Sequence, residues 1–168
     1  MINLFKRGKD PSKLAKKASQ TKDPLKAVEF YSDAIKFEKA KVNPDSNFLS
    51  DIYLRRGEIY LHEGVAILSS SDFLQSIELN SKNGIAHNDL GIWFTIEHFY
   101  TPDFDKALNH LEKAIEFCPD RPDFKMNRAI IKIKKGDKET GRKELEQLYL
   151  EGYTDAKVAI ERYFDQNK

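Results

Sequence analysis

Four histidines, one cysteine and 27 acidic residues are the groups in this 168-residue chain best suited to catalysis or metal binding. His62, His87, His98 and His110 never take the H-E-x-x-H spacing that sets two imidazoles and a general base on one helix face. His62-Glu63 and Glu97-His98 are adjacent pairs, which point to different sides of a helix, so the histidines read as solvated helix surface. Cys118 is the one thiol and precedes Pro119. A disulfide within the chain is thereby excluded, a cysteine-based zinc site is unsupported, and the thiol reads as structural. With 33% charged residues, neighbouring carboxylates are expected by chance. There is no G-x-S-x-G, no Walker loop and no G-x-G-x-x-G. The sequence therefore reads as non-enzymatic, with no catalytic residue, no cofactor and no bound metal.

Charge offers a second chemistry. The formal net charge is +1, so any basic function must come from clustering. Lys6, Arg7, Lys9, Lys13, Lys16 and Lys17 stand against Asp10 alone, and this segment, 6–17, is a candidate for phosphate or an anionic membrane surface. The competing reading is an exposed helix face. Phe5 is the one aromatic nearby, where a single-strand binder would interleave several, so nucleic acid is disfavoured. Only Met1, Ile2, Leu4 and Phe5 are apolar before the charges begin, shorter than a secretory core of roughly 7–15 residues. No run approaches the roughly 20 apolar residues of a membrane helix. A cytoplasmic protein is expected.

The elements that would position these groups recur. Lys26-Ala27-x-x-x-Tyr31-x-x-Ala34-Ile35-x-Phe37 matches Lys106-Ala107-x-x-x-Leu111-x-x-Ala114-Ile115-x-Phe117 in type at every named position. Ser69-x-x-x-Phe73-x-x-Ser76-Ile77-x-Leu79 lies between them, and Gly141-x-x-x-Leu145-x-x-Leu148 follows. Upstream, Tyr53-x-x-x-Gly57-x-x-Tyr60 recurs as His87-x-x-x-Gly91-x-x-Phe94, with Ala15 and Ala129 at the small position of the outer copies. Gly64 and Gly136 each come seven residues after a small position, where a helix should stop.

In this register the sequence resembles the tetratricopeptide repeat, whose pattern runs W-x-x-L-G-x-x-Y, then A-x-x-x-F, then Pro, over 34 residues. The resemblance implies an all-α, right-handed superhelical solenoid of antiparallel helix pairs. A tail at 1–7 would precede four repeats within 8–155, at about 8–49, 50–83, 84–121 and 122–155. A capping helix and tail would occupy 156–168, the helix beginning near Thr154. Repeat one needs about five extra residues around Glu38–Pro44, as a longer second helix or a longer linker. Repeat three needs about four between Phe94 and Ala107. The first-position Trp is absent from every copy.

The resemblance also implies a concave groove lined by the first helix of each pair. Its ligand-facing places map to Ser12, Lys16 and Gln20, with Lys13 adjoining. They continue through Leu54, Glu58 and His62, with Arg55 adjoining, then Asn88, Ile92, Thr95 and Ile96, with Asp89 adjoining. The last are Met126, Ile130 and Ile133, with Asn127 adjoining. The surface would grade from basic to apolar, though the isoleucines serve core packing equally well. The clamp for acidic chaperone tails, built from Lys, Asn and Arg, is not expected: in one register its places hold Ser12, Lys16, Arg55, Ile85 and Asp89. In the other they hold Leu54, Glu58, Asp89, Asp123 and Asn127. Trp93, Phe99, Tyr100 and Phe104 crowd the repeat-three insertion, as a binding knob or as a plug for a longer helix. The expected function is a protein-interaction module, a scaffold, adaptor or dedicated chaperone, binding another polypeptide.

Overall fold

Aspartates open most of the helices. The side chain of Asp10 accepts from the backbone N–H of Ser12 and Lys13, with Pro11 in the first turn, and α1 runs Pro11–Gln20. Asp23 and Pro24 repeat the device for α2, Pro24–Lys39. Asp45 caps α3, Ser46–His62; Asn83 caps α5, Gly84–Trp93; Asp103 caps α6, Phe104–Phe117; and Asp137 caps α8, Lys138–Leu150. Each cap satisfies backbone donors that the helix cannot, an effect of about 1 kcal/mol. The remaining helices are α4, Ala66–Leu79; α7, Pro122–Lys135; and α9, Asp155–Phe164. Gly64, with φ 74°, and Gly136, with φ 111°, close α3 and α7 in the left-handed region that glycine adopts without steric cost.

The computed structural model describes residues 9–97 and 101–164, and among them there is no strand. The chain forms two compact units, residues 1–81 and 82–168. In the first, α1 packs on α2 and α3 on α4, and α2 also meets α3. Leu14, Tyr31, Ile35, Leu49 and Ile52 form its core. A Cβ built on Gly57 would stand 2.7 Å from the Phe73 ring, so α3 and α4 approach as closely as they do only because that position has no side chain. Beside it, Arg56 is clamped by Asp72: Nε donates to Oδ2 at 2.7 Å and the second fork to Oδ1 at 2.8 Å, while Nη1 donates to Ser32 Oγ at 2.8 Å. The guanidinium lies 5.5 and 5.7 Å from the Tyr53 and Tyr60 ring centroids. Burial works against the charge of Arg56, yet the Asp72 bonds outweigh it and its pKa is raised.

The extra residues before Gly57 are shared among α2, the 40–45 linker and the start of α3, and the linker is held by Glu38. Its side chain, 1% exposed as a residue, accepts from the Asp45 backbone N–H at 3.0 Å and from Lys41 at 2.7 Å. In the second unit α5 packs on α6, α7 on α6 and α8, and α9 on α8. Ala129, Ile133, Leu145, Leu148, Ala156 and Ala159 form a core there, so α9 closes the apolar face of α7 and α8.

Candidate partner-binding surfaces

Arg55, Glu58 and His62 follow one another at three and four residues along α3, the spacing that places side chains on one helix face. The structure brings all three to the wall of one open cleft of about 500 Å³ in the first unit. Tyr31, Ala27 and Ala18, all buried, line its depths, and Lys22 lies on the opposite side. Arg55 is aimed by Asp51, whose Oδ2 accepts from Nε at 2.9 Å, and that bond raises the guanidinium pKa. Burial raises the Tyr31 phenol, with Arg55 opposing. The cleft thus offers an apolar floor, a phenol and a rim of both charge signs.

Lys13 and Lys16 do not line this cleft. Both are exposed on α1, and Lys13 lies 4.0 Å from Asp10. The end of α1 contributes Ala18, Ser19, Thr21 and Lys22 instead. Leu54 departs from its ligand-facing expectation: it is 4% exposed and belongs to the core. Tyr31, met in the sequence only as the bulky position of a repeat, fills the helix interface and floors the cleft at once, and Lys22 belongs to no repeat position. Lys6 and Arg7 of the basic segment lie outside the described residues. Within it, Lys9 donates to Asp33 at 2.8 Å and Lys17 sits 6.0 Å from the Phe30 ring centroid.

In the second unit Asn127 Nδ2 donates to Asn88 Oδ1 at 2.9 Å, and Asn88 Nδ2 donates to Asp89 Oδ1 at 2.9 Å. An amide relay therefore links α5 to α7, with Asn88 buried. Burial raises the Asp89 carboxyl above its ordinary range. Ile92 and Ile130 are half-buried, and Ile130 lines a groove between α7 and α9 with Val158 and Tyr163. Ile133 is in the core instead: a Cβ on Gly141 would stand 2.5 Å from its Cγ1, and no ligand reaches it there.

The insertion departs from a lengthened helix. Because α5 ends at Trp93, Thr95 and Ile96 lie beyond it, and Thr95 Oγ1 donates back to the Ile92 carbonyl at 2.8 Å. Trp93 meets Phe94 edge-on at 5.3 Å. Phe104 and Phe94 pack onto the Ala107, Leu111 and Ile131 cluster, so Phe104 serves the core. Phe99 and Tyr100, with His98, lie outside the described residues. The histidine expectation also needs correcting. His87 is 3% exposed, and its Nδ1 lies 3.0 Å from His110 Nδ1, with Phe117 and Phe94 against the two rings. Burial, then His87 and Lys113, lower the His110 pKa to about 4. Two residues from different helices made this pair, and neither carries a local signal of it.

No protein-family model matches the chain, and no curated protein matches it in sequence. Solved structures do. A crystal structure of MamA superposes with a TM-score of 0.67 at 16% identity, covering 92% of this chain and 76% of that one. BtubC from P. vanneervenii gives 0.67 at 17% identity, covering 82% and 59%. YrrB, described as a TPR protein with an unusual peptide-binding site, gives 0.58 at 17% identity, covering 79% and 60%. At such identities the likeness speaks for the fold, which is that of the tetratricopeptide-repeat proteins.

Proposed function

We propose that this chain, with its tetratricopeptide-repeat fold, is a non-enzymatic module that binds another polypeptide on the faces of its first helices. In the cell it would act in the cytoplasm as a scaffold, adaptor or dedicated escort for one partner. The observation that carries this reading is the first unit's cleft, where Arg55, Glu58 and His62 converge over Tyr31. Its volume, about 500 Å³, lies within the range of roughly 300–1,000 Å³ typical of ligand sites. The relay from Asp89 through Asn88 to Asn127 supplies amides that could read a main chain in the second unit, with Ile92 and Ile130 as apolar neighbours. The peptide-binding site ascribed to YrrB supports the same use of the fold. The basic segment 6–17 is the weaker reading, since Lys9 and Lys13 already face Asp33 and Asp10. No described helix is long and apolar enough to cross a membrane.

The test is site-specific photo-crosslinking in the native cell, with the photoreactive residue at position 58 in the cleft or at exposed position 36 on α2. One polypeptide captured from position 58, and lost on Arg55→Glu, supports the reading. Equal capture from both positions, or capture abolished only by deleting 6–17, overturns it. Binding through 6–17 would also weaken steeply with salt.

A further inference from the structure

Val158 on α9 is a large apolar residue, yet it is 65% exposed. Half-buried Met126 and Ile130 from α7 and Tyr163 from α9 form with it an open groove of about 230 Å³, with buried Ala159 also lining it. That is below the size of a site for a whole small molecule, roughly 300–1,000 Å³, and leaves room for one leucine- or phenylalanine-sized side chain. The two ends of the groove differ in charge. Asp155 opens α9, Arg162 follows seven residues later, and Val158 lies between them on the same face. A rise of about 1.5 Å per residue separates the two charged positions by about 10 Å along the helix. Among the described residues neither side chain joins an ion pair.

We infer, building on the polypeptide-binding reading above, that this groove holds one large apolar side chain of a partner segment flanked by a basic residue facing Asp155 and an acidic residue facing Arg162. An extended chain advances about 3.3 Å per residue, so the two charges stand three residues apart with the apolar residue between. The apolar side chain supplies affinity and the charged ends supply orientation. The groove admits a single side chain, far less than the roughly 800 Å² per partner that a stable dimer buries, so a short partner segment suits it better than a second copy of this chain.

The experiment uses the full chain and a fluorescein-labelled peptide with a Lys-Leu-Ser-Glu core in Gly-Ser flanks, read by fluorescence anisotropy at low salt. Replacing the peptide's Leu by Ser should weaken binding at least about tenfold, the value of one buried apolar side chain. Replacing its Lys by Glu should weaken binding by about twofold to fivefold. Asp155→Lys should reverse that preference, favouring the peptide with Glu at both ends. Val158→Glu should abolish binding while leaving thermal unfolding unchanged. Indifference to Leu or Ser, an unaltered preference in Asp155→Lys, or no binding of the parent peptide overturns the inference. So does light scattering that finds a dimer which Val158→Glu dissociates, because a second copy then fills the groove. Partner capture through position 58, in the other unit, reads the general function separately: capture there with an inert α7–α9 groove sinks this inference alone.

Discussion

Removing the Asp72 carboxylate should be among the most damaging single changes in the first unit. The Arg56 side chain is only 17% exposed, and Asp72 supplies both bonds that compensate its charge, at 2.7 and 2.8 Å. Breaking one partner out of a buried pair costs about 3–5 kcal/mol, because the other charge stays behind. Arg56 keeps the Ser32 hydroxyl and two tyrosine faces, and some water reaches it. Those contacts bring the expectation for Asp72→Ala to about 2–4 kcal/mol. The double change Arg56→Leu with Asp72→Leu removes both charges, and buried pairs so replaced are often neutral. It should cost less than Asp72→Ala alone, about 0–2 kcal/mol. Urea unfolding followed by circular dichroism gives the stabilities, and hydrogen exchange along α3 and α4 locates the loss. If the double variant is the less stable of the two, or Asp72→Ala costs under about 1 kcal/mol, the Arg56 charge is not held by Asp72 as described.

Other expectations follow from the same packing. A Cβ on Gly57 meets Phe73 at 2.7 Å, so Gly57→Ala should destabilise by about 1–3 kcal/mol through overpacking, against at most about 1 kcal/mol gained in helix propensity. Gly136→Ala meets nothing but must hold φ 111°, so its cost, about 1–2 kcal/mol, is backbone alone; thermal unfolding separates the two. The folded His110 pKa is depressed from 6.5 to about 4, so its contribution is present above pH 6.5 and is lost as pH falls toward 4. Hydrogen exchange of α5 and α6 should therefore accelerate from pH 6.5 to 5 after correction for intrinsic rate, and His110→Phe should flatten that dependence. Glu38→Ala should release the 40–45 linker, raising exchange at the Asp45 amide with little effect on α8.

What was legible in the sequence was whatever one residue decides alone or the repeat register fixes. Gly64 and Gly136 mark helix ends because their backbone conformation needs no partner. Small residues at positions 57 and 91 mark close helix approach because the neighbouring helix follows in a fixed register. What was not legible depends on two helices at once. Leu54 and Arg55 are adjacent, yet one is core and the other lines a cleft, and the difference is set by what α2 and α4 bring alongside α3. His87 and His110 look like surface histidines separately, and their burial comes from meeting each other. The end of α5 at Trp93 escaped the pattern because an inserted segment obeys no repeat.

The ion pairs within helix pairs occupy recurring places. Arg56 and Asp72 are 16 residues apart, and so are Arg128 and Glu144. Each arginine directly precedes the small residue of a first helix, and each acid directly precedes the bulky residue of a second helix. The equivalent places in the other two helix pairs hold Leu14 and Phe30, then Leu90 and His110. A place that carries a charge clamp in two pairs and other residues in the other two needs filled volume and satisfied polar atoms, not a particular residue. The residues proposed to meet a partner stand next to these places on the same first helices: Arg55 beside Arg56, Asp89 beside Leu90, Asn127 beside Arg128. Pairing within each helix pair and the proposed recognition thus use different residues. A change at Arg55 should therefore alter binding with stability nearly constant, whereas a change at Arg56 or Arg128 should do the reverse.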